Sequence, residues 1–498
     1  MADAFCDWLS RVWPGERVEL VETHISRVAF VGDRVLKCKK PVAFPFVDLS
    51  TAEARRRDCE REVALNRRLA PDVYLGVVDV TDEQGRVVDH AVEMVRMPAP
   101  RRLAALARAG ADPSECLHAL ADRVAALHRD ATTGGAVDDA ASADFVRWLW
   151  EQSVEQTERF EGHLVDAEAA RCVARLARRY LEGRRPLFDA RIAAGRARDG
   201  HGDLLAEDIF CLDDGPRVLD CLEFDDRLRY GDVLGDVAFL AMDLEHLGRP
   251  DLAALFLTRY RVVTRDDWPR SLEHLYVAYR AHVRMKIACL RGDARNAESL
   301  LELAHRHLED GRVRLVLVGG APATGKSTIA RLLAAETGWT LLRSDVVRKE
   351  LAGMPATERA TTALDGGMYT RDARARIYDV MLARTRTLLQ SGECVVLDAS
   401  WSDPDWRARA AAVARETASD LVALHCVAPP ELAAARASAR STEGRDPSDA
   451  DARLAVALAE RFAPWPEAIT VDTTDGIEAS MHTVEAAVLG DACGRHGP

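Results

Sequence analysis

Residues 312–337, RVRLVLVGGAPATGKSTIARLLAAET, constrain the fold more than any other stretch of the chain. A short run of β-forming apolar residues ends in two glycines, and an amphipathic helical pattern begins at the end of the turn. A strand that turns through glycines directly into a helix is the first half of a parallel β–α unit. The glycines let successive backbone N–H groups curl inward, and the following helix adds its positive end, so the turn forms a cradle for phosphate oxygens. Strand and helix patterns then alternate: TLLRSD runs into VVRKEL, and ECVVLDAS precedes another helical run.

The turn itself, Gly320-Ala321-Pro322-Ala323-Thr324-Gly325-Lys326-Ser327, fits G-x-x-x-x-G-K-[ST] in the strand–helix context that this motif requires. Residues 311–498 therefore read as an α/β P-loop NTPase domain with a parallel sheet. Lys326 is placed to put a point charge on the β- and γ-phosphates of ATP, and Ser327 to put a hydroxyl on Mg²⁺. Thr328 is a weaker candidate for the α-phosphate. Asp398 closes a buried apolar run and is the expected carboxylate for Mg²⁺ or its water. Asp345 follows the next apolar strand and is the candidate general base for a substrate hydroxyl, with Arg348 one turn on to hold the acceptor.

The chain before residue 311 has a different pattern. Residues 16–100 are strand-rich, with a helix at about 51–69 and a hairpin signal at Asp82-Glu83-Gln84-Gly85. Residues 101–310 are mostly helical, interrupted by HGDLLAEDIFCLDDGPRVLDCLEF. A small β lobe followed by a larger α lobe that carries a catalytic-looking hairpin is the outline of an α+β bilobal, protein-kinase-like domain over 1–310. Its loop places two carboxylates five residues apart. Asp203 is placed to accept a hydroxyl proton and Asp208 to hold Mg²⁺, with His201 orienting the loop through hydrogen bonds. The strand that follows offers Asp220, Glu223 and Asp225 as the main metal carboxylate. Distance to Asp236 favours Asp225, flanking residues favour Glu223, and the choice stays open.

Composition limits the function classes. With 498 residues the length fits two kinase lobes plus one further domain. The net charge of −13 counts against a broad grip on nucleic acid or anionic membrane. No run is long and apolar enough to span a bilayer, and the N-terminus has no signal-peptide pattern, so a cytoplasmic protein is expected. The 11 cysteines show no C-x-x-C pair, which fits a reducing compartment and predicts neither zinc nor a disulfide framework. Lysine is scarce: six lysines, at 37, 39, 40, 286, 326 and 349, stand among 67 basic residues. A lysine kept against such a bias is a candidate for a site that needs a compact ammonium.

Residues 312–475 resemble small P-loop kinases of the gluconate-kinase, polynucleotide-kinase and zeta-toxin-like group. That resemblance implies an arginine-bearing lid, onto which Arg436, Arg440 and Arg445 fall. Residues 20–285 resemble the aminoglycoside phosphotransferase and fructosamine-kinase-like families, on the evidence of His201-Gly202-Asp203, Asp208 and the later GDVLGDVAFLAMDLE with Asp232 and Asp236, which this resemblance implies brace the loop. It also implies a strand lysine, matched by Lys37 in RVLKCKKP, an acidic helix partner at Glu62 or Glu60, and a hinge beside adenine at 92–100. No glycine-rich loop precedes Lys37; THISRVAF stands there instead.

The order of the two domains resembles bacterial fusions of an aminoglycoside-phosphotransferase-like protein with a P-loop kinase. The expectation is a bifunctional, ATP- and Mg²⁺-dependent phosphotransferase acting on a hydroxyl of a small polar acceptor, sugar or aminoglycoside-like. The alternative is a P-loop kinase of polynucleotide 5′-ends or nucleotide-sugars, with the N-terminal domain as a binding or regulatory module.

Overall fold

The computed structural model describes residues 4–44, 47–354, 371–443 and 462–490. The chain forms two compact units that are not contiguous in sequence. The first comprises Met1–Ala167, Phe188–Trp268 and Tyr276–Ala304; the second comprises Glu168–Leu187, Pro269–Leu275 and His305–Pro498.

The first unit opens with strands β1 (Val18–Glu22), β2 (Ser26–Val31) and β3 (Arg34–Lys39). Helix α1 (Ala52–Asn66) follows, begun by Thr51, whose hydroxyl accepts from the Ala54 N–H at 3.1 Å. Strands β4 (Tyr74–Thr81) and β5 (Val87–Val95) form the expected hairpin. Asp82 Oδ1 closes its turn by accepting from the Gln84 and Arg86 N–H groups, both at 2.9 Å. The antiparallel sheet has the order β1-β2-β3-β5-β4.

The side-chain period of two along β3 decides what each face does. Leu36 and Cys38 pack with Phe5, Trp8 and Leu9 of the short helix Ala4–Val12. Val35 packs with Cys59 and Val63 of α1. Lys37 and Lys39 share the Val35 face, so the same alternation aims both ammonium groups at α1.

The helical lobe contains α2 (Ser114–Asp130) and α3 (Ala143–Thr157), the short strands β6 (Ile209–Leu212) and β7 (Gly215–Val218), and α4 (Val233–His246). Helix α5 (Arg270–Arg291) belongs to this unit from Tyr276 onward. Cys116 on α2 and Cys211 on β6 are joined by a disulfide, their Cα atoms 5.6 Å apart. This corrects the expectation of no disulfide: spacing rules detect close pairs, whereas here folding brings together residues 95 apart.

The second unit is a five-stranded parallel sheet. Strand β8 (Arg314–Gly319) leads into α6 (Lys326–Thr337), β9 (Thr340–Arg343) into α7 (Ser344–Leu351), followed by β10 (Val395–Asp398), β11 (Asp420–Val427), α8 (Pro430–Glu443) and β12 (Ile469–Asp472). The order β9-β10-β8-β11-β12 puts β8 at the centre. Val316 and Val318 of β8, Ile329 and Leu333 of α6, Val396 and Leu424 form its core. Burial on both faces explains why these strands read as continuous apolar runs.

Candidate active sites

In the first unit, Lys37 Nζ lies 2.9 Å from Glu62 Oε1 and 2.9 Å from Asp220 Oδ1. Of the two acidic partners expected on α1, Glu62 is the one that faces β3; Glu60 pairs instead with Arg56 on the exposed side. Lys39, for which the sequence offered no role, is fully buried. Its Nζ is 2.7 Å from Glu62 Oε2, 2.7 Å from Glu223 Oε1 and 3.0 Å from Asp58 Oδ2. Two lysines thus hold the Glu62 carboxylate from both oxygens. Burial opposes that charge, yet the two ammonium groups keep its pKa below the usual carboxylate range.

Among the three candidate metal carboxylates, the structure separates their environments. Asp220 sits two residues beyond β7 with φ +63°, a conformation that few non-glycine residues adopt. Its N–H donates to the Tyr74 hydroxyl at 3.2 Å. Lys37, the largest influence, holds the Asp220 carboxyl below its ordinary pKa. Burial, then Asp220, then Asp203 push Asp208 well above its own. Asp203 is likewise pushed up, to about 6, by burial, against the opposing field of Arg284. Asp203, Asp208 and Asp220 therefore feel one another. Glu223 is committed to Lys39. Asp225 lies apart: it caps the turn Asp226–Arg229, accepts from the Arg227 N–H at 3.0 Å and pairs with the Arg227 guanidinium at 2.9 Å.

The loop is held by Asp236. Its Oδ2 accepts from the His201 N–H at 2.9 Å and its Oδ1 from the Gly202 N–H at 2.7 Å. His128 Nε2 fixes the same carboxylate at 2.9 Å, and the Tyr260 hydroxyl lies 2.7 Å from His128 Nδ1. A Cβ on Gly200 would stand 2.6 Å from Asp236 Oδ2, so the close approach requires glycine. The hydrogen bonding expected of His201 runs through its backbone rather than its ring. Neither ring nitrogen has a hydrogen-bond partner, and burial lowers the pKa of His201 to about 4; the loop contact runs through its backbone. Asp232 does not touch the loop. It caps α4 at the Leu234 N–H (2.9 Å) and pairs with buried Arg191. Asp243, which the sequence reading missed, supplies a further brace by accepting from the Ala206 N–H at 2.8 Å.

These groups open onto a cavity of about 830 Å³ lined by Thr23, His24, Lys37, Asp203, Asp220 and Glu223 on one part. Helix α5 lines another, with Tyr276, Arg280, Arg284, Lys286 and Ile287. The only signal for this wall in the sequence is the spacing of 276, 280 and 284, four residues apart on one helix face.

In the second unit, the turn after β8 is shaped by Gly320 (φ +145°) and Gly325 (φ +88°). A Cβ on Gly320 would stand 2.5 Å from the Cys426 carbonyl oxygen. Lys326 and Ser327 open α6, and the Thr328 N–H donates to the Gly325 carbonyl at 3.0 Å. The Thr324 hydroxyl donates to the Ala321 carbonyl at 2.9 Å, and Thr473 donates to the Thr324 carbonyl at 2.9 Å. Arg436 binds Thr473 at its hydroxyl (3.0 Å) and its carbonyl (2.7 Å), so it reaches the turn through that residue.

Asp398 ends β10 and pairs with Arg343 at 3.0 Å through Oδ2, while its buried Oδ1 has no hydrogen-bond partner. Asp345 lies in the first turn of α7, 3.0 Å from Arg348. Burial raises its carboxyl pKa against Arg348 and Lys326. Arg440 lies on α8, but its side chain is outside the described residues, as is Arg445 altogether.

The fold and the two sites define a chain of two kinase-type units, a bilobal protein-kinase-like one and a P-loop one. Residues 315–465 match the AAA domain family. Solved structures similar to the chain include a choline/ethanolamine kinase family protein from Mesorhizobium loti, 13% identical, over 59% of this chain and 88% of that one, TM-score 0.38. A gluconokinase from Sinorhizobium meliloti is 17% identical over 35% of this chain and 93% of that one, TM-score 0.26. Uncharacterized protein Rv2004c of Mycobacterium tuberculosis is 40% identical over 470 residues, 93% of this chain and 94% of its own length. Uncharacterized protein Mb2027c of Mycobacterium bovis matches to the same extent. The chain belongs to the family of these mycobacterial proteins.

Proposed function

We propose that the chain is an ATP-dependent phosphotransferase with two sites, each moving the γ-phosphate of ATP to a hydroxyl of a small polar acceptor. The observation that carries this reading is the double pairing of Lys37, 2.9 Å from both Glu62 and Asp220, beside a loop whose Asp203 has its pKa pushed up to about 6. A buried lysine–glutamate pair beside a carboxylate cluster is the arrangement with which kinase-type transfer sites position a phosphate-binding ammonium.

The donor sets fit a divalent cation at both sites. Asp208 and Asp220 are hard oxygen donors that repel one another without a cation between them, and the buried Asp398 Oδ1 is an acceptor without a donor. When bound, Mg²⁺ supplies charge neutralisation on the phosphate oxygens. In the first unit Lys37 offers its ammonium to the phosphates while Glu62 and Lys39 fix its position. Asp203 takes the hydroxyl proton as the acceptor oxygen bonds to the γ-phosphorus and the bond from that phosphorus to ADP breaks. In the second unit the Gly320–Thr328 backbone and Lys326 bind the phosphates, Ser327 and Asp398 hold the cation, Asp345 takes the proton and Arg348 orients the acceptor. Arg436 positions the turn through Thr473.

The test is phosphoryl transfer from labelled ATP with Mg²⁺ across a panel of sugars, sugar derivatives, aminoglycosides, nucleosides and oligonucleotides. Asp203→Ala and Lys326→Ala are each expected to remove a separate part of the activity. Unchanged transfer in Asp203→Ala across the panel overturns the two-site reading and leaves the first unit as a binding module.

A further inference from the structure

The charge on the α5 wall of the first-unit cavity is the feature left without a use. Arg280, Arg284 and Arg291 lie four and seven residues apart and line the cavity together, with Lys286 among them. Arg280 is occupied: its Nε donates to the Gly235 carbonyl at 2.9 Å and its guanidinium lies 4.6 Å from the centre of the Phe239 ring. Among the described residues the Asp203 and Asp243 carboxyls feel Arg284 without forming an ion pair with it, and Lys286 faces no carboxylate. The Lys286 ammonium has only the Gln156 side-chain oxygen, 3.0 Å away, and burial lowers its pKa with no acid to offset it.

The acids that line the same cavity are nearly all committed. Asp220 is held by Lys37, Glu223 by Lys39, Asp232 by Arg191, and Asp236 by His128 and the loop N–H groups. Among these acids only Asp203 is free of an ion pair, and Arg284 is the largest cationic influence on it. An ammonium half withdrawn from water and an unpaired guanidinium beside the reacting carboxylate are costly unless an anion completes them.

We infer that the acceptor of the first unit is an anionic hydroxy compound, a polyol bearing a phosphate or a carboxylate, whose anionic group is drawn to the cationic wall that carries Arg284 and Lys286 while its hydroxyl faces Asp203. The guanidinium fork suits either oxyanion in a bidentate grip, and Lys286 adds a point charge. A cationic polyamine such as an aminoglycoside meets like charge on this wall and is excluded by it. The inference rests on the reading of Asp203 as the site of transfer.

The test uses the full chain carrying Lys326→Ala, so that transfer reports the first unit alone. Four probes are compared, glucose 6-phosphate, gluconate, glucose and kanamycin, by ATP-dependent transfer and by calorimetric binding. At least one of the two anionic probes is expected to exceed glucose and kanamycin by tenfold or more in kcat/KM, with binding that weakens as salt rises. The ranking of the phosphate against the carboxylate identifies which oxyanion the wall takes. Arg284→Gln and Lys286→Gln are expected to raise KM for that probe tenfold or more with a smaller change in kcat, and Arg284→Lys and Lys286→Arg to restore part of it. Transfer to glucose or kanamycin at equal or better efficiency, lost in Asp203→Ala but untouched by Arg284→Gln, overturns the inference and leaves the proposed function standing. Salt-sensitive binding of an anionic probe that Arg284→Gln abolishes, with no transfer to any probe, overturns the proposed function and leaves the anion site standing. If no probe binds or reacts, the inference falls.

Discussion

Lys39 Nζ lies 2.7 Å from Glu62 Oε2, and neither side chain has any exposed surface. The pair is the inner half of a chain of charges, because Glu62 passes its other oxygen to Lys37, which in turn meets Asp220. Removing Lys39 leaves Glu62, Glu223 and Asp58 facing one another in the interior without their shared cation. Breaking one side of a buried pair costs roughly 3–5 kcal/mol. Lys39→Met is therefore expected to lower the stability of the first unit by that order and its melting temperature by several degrees, read by thermal denaturation. Lys37→Met, whose ammonium also faces the cleft, is expected to remove first-unit transfer with a smaller stability loss. A Lys39→Met chain that melts like the wild type contradicts the structural role.

That chain of charges marks how far the sequence could be read. The period of two on β3 was enough to put Lys37 on the right face, and the fixed spacing of the phosphate-binding turn was enough to place Lys326 and Ser327, because both are local geometries. The choice among Asp220, Glu223 and Asp225 was not local. Their surroundings differ through the left-handed backbone at Asp220, whose carboxylate meets Lys37, and through Lys39, which pairs with Glu223. The Cys116–Cys211 pairing and the membership of Glu168–Leu187 in the second unit are long-range consequences of packing with no periodic signature. Lys286 carried no motif at all; only its place on the cavity wall gives it meaning.

Asp203 should set the acid limb of catalysis. A base must be ionised to take a proton, and burial pushes this carboxyl up to about 6. In the Lys326→Ala background, kcat/KM for the first unit is expected to be level above about pH 7 and to fall tenfold per pH unit well below 6. Asp203→Asn should lose on the order of 10²–10⁴ in rate, and the residual activity should no longer show that limb. A limb that persists unchanged in Asp203→Asn assigns the titration to another group.

Substitution of one glycine at each site should separate the two proposed activities. Gly200→Ala places a methyl 2.6 Å from Asp236 Oδ2 and forces the loop off its brace. Gly320→Ala places one 2.5 Å from the Cys426 carbonyl oxygen in a backbone conformation that only glycine adopts readily. Gly200→Ala is expected to abolish first-unit transfer and leave nucleotide binding by the second unit intact. Gly320→Ala should do the reverse. Transfer from labelled ATP in the two variants reads the first loss, and binding of a fluorescent ATP analogue in the two variants, each also carrying Asp203→Asn, reads the second.

Two buried histidines should make the first unit sensitive to mild acid. Burial lowers His201 from 6.5 to about 4 and His282 from 6.5 to about 3, the latter with Ser153 Oγ 2.8 Å from its Nδ1. Each ring stays neutral in the folded chain while the unfolded chain protonates near 6.5, so the unfolded state binds more protons as pH falls. The contribution is complete above the unfolded value and is lost as pH drops through it towards the folded one. Between pH 7 and pH 5 each histidine is expected to withdraw about 2 kcal/mol. Asp236 does not share this window: its carboxyl is held low by His128 and the loop N–H groups, so its contribution survives until pH falls below the unfolded aspartate value. Asp203 and Asp208, whose carboxyls burial pushes up, take protons in the folded state over the same window and offset part of that loss, so the histidine contribution is read as the difference between wild type and variant in urea titrations at pH 7 and pH 5. His282→Asn, whatever its stability at pH 7, should lose less on going to pH 5. An equal loss in the variant removes His282 as a source of the pH dependence.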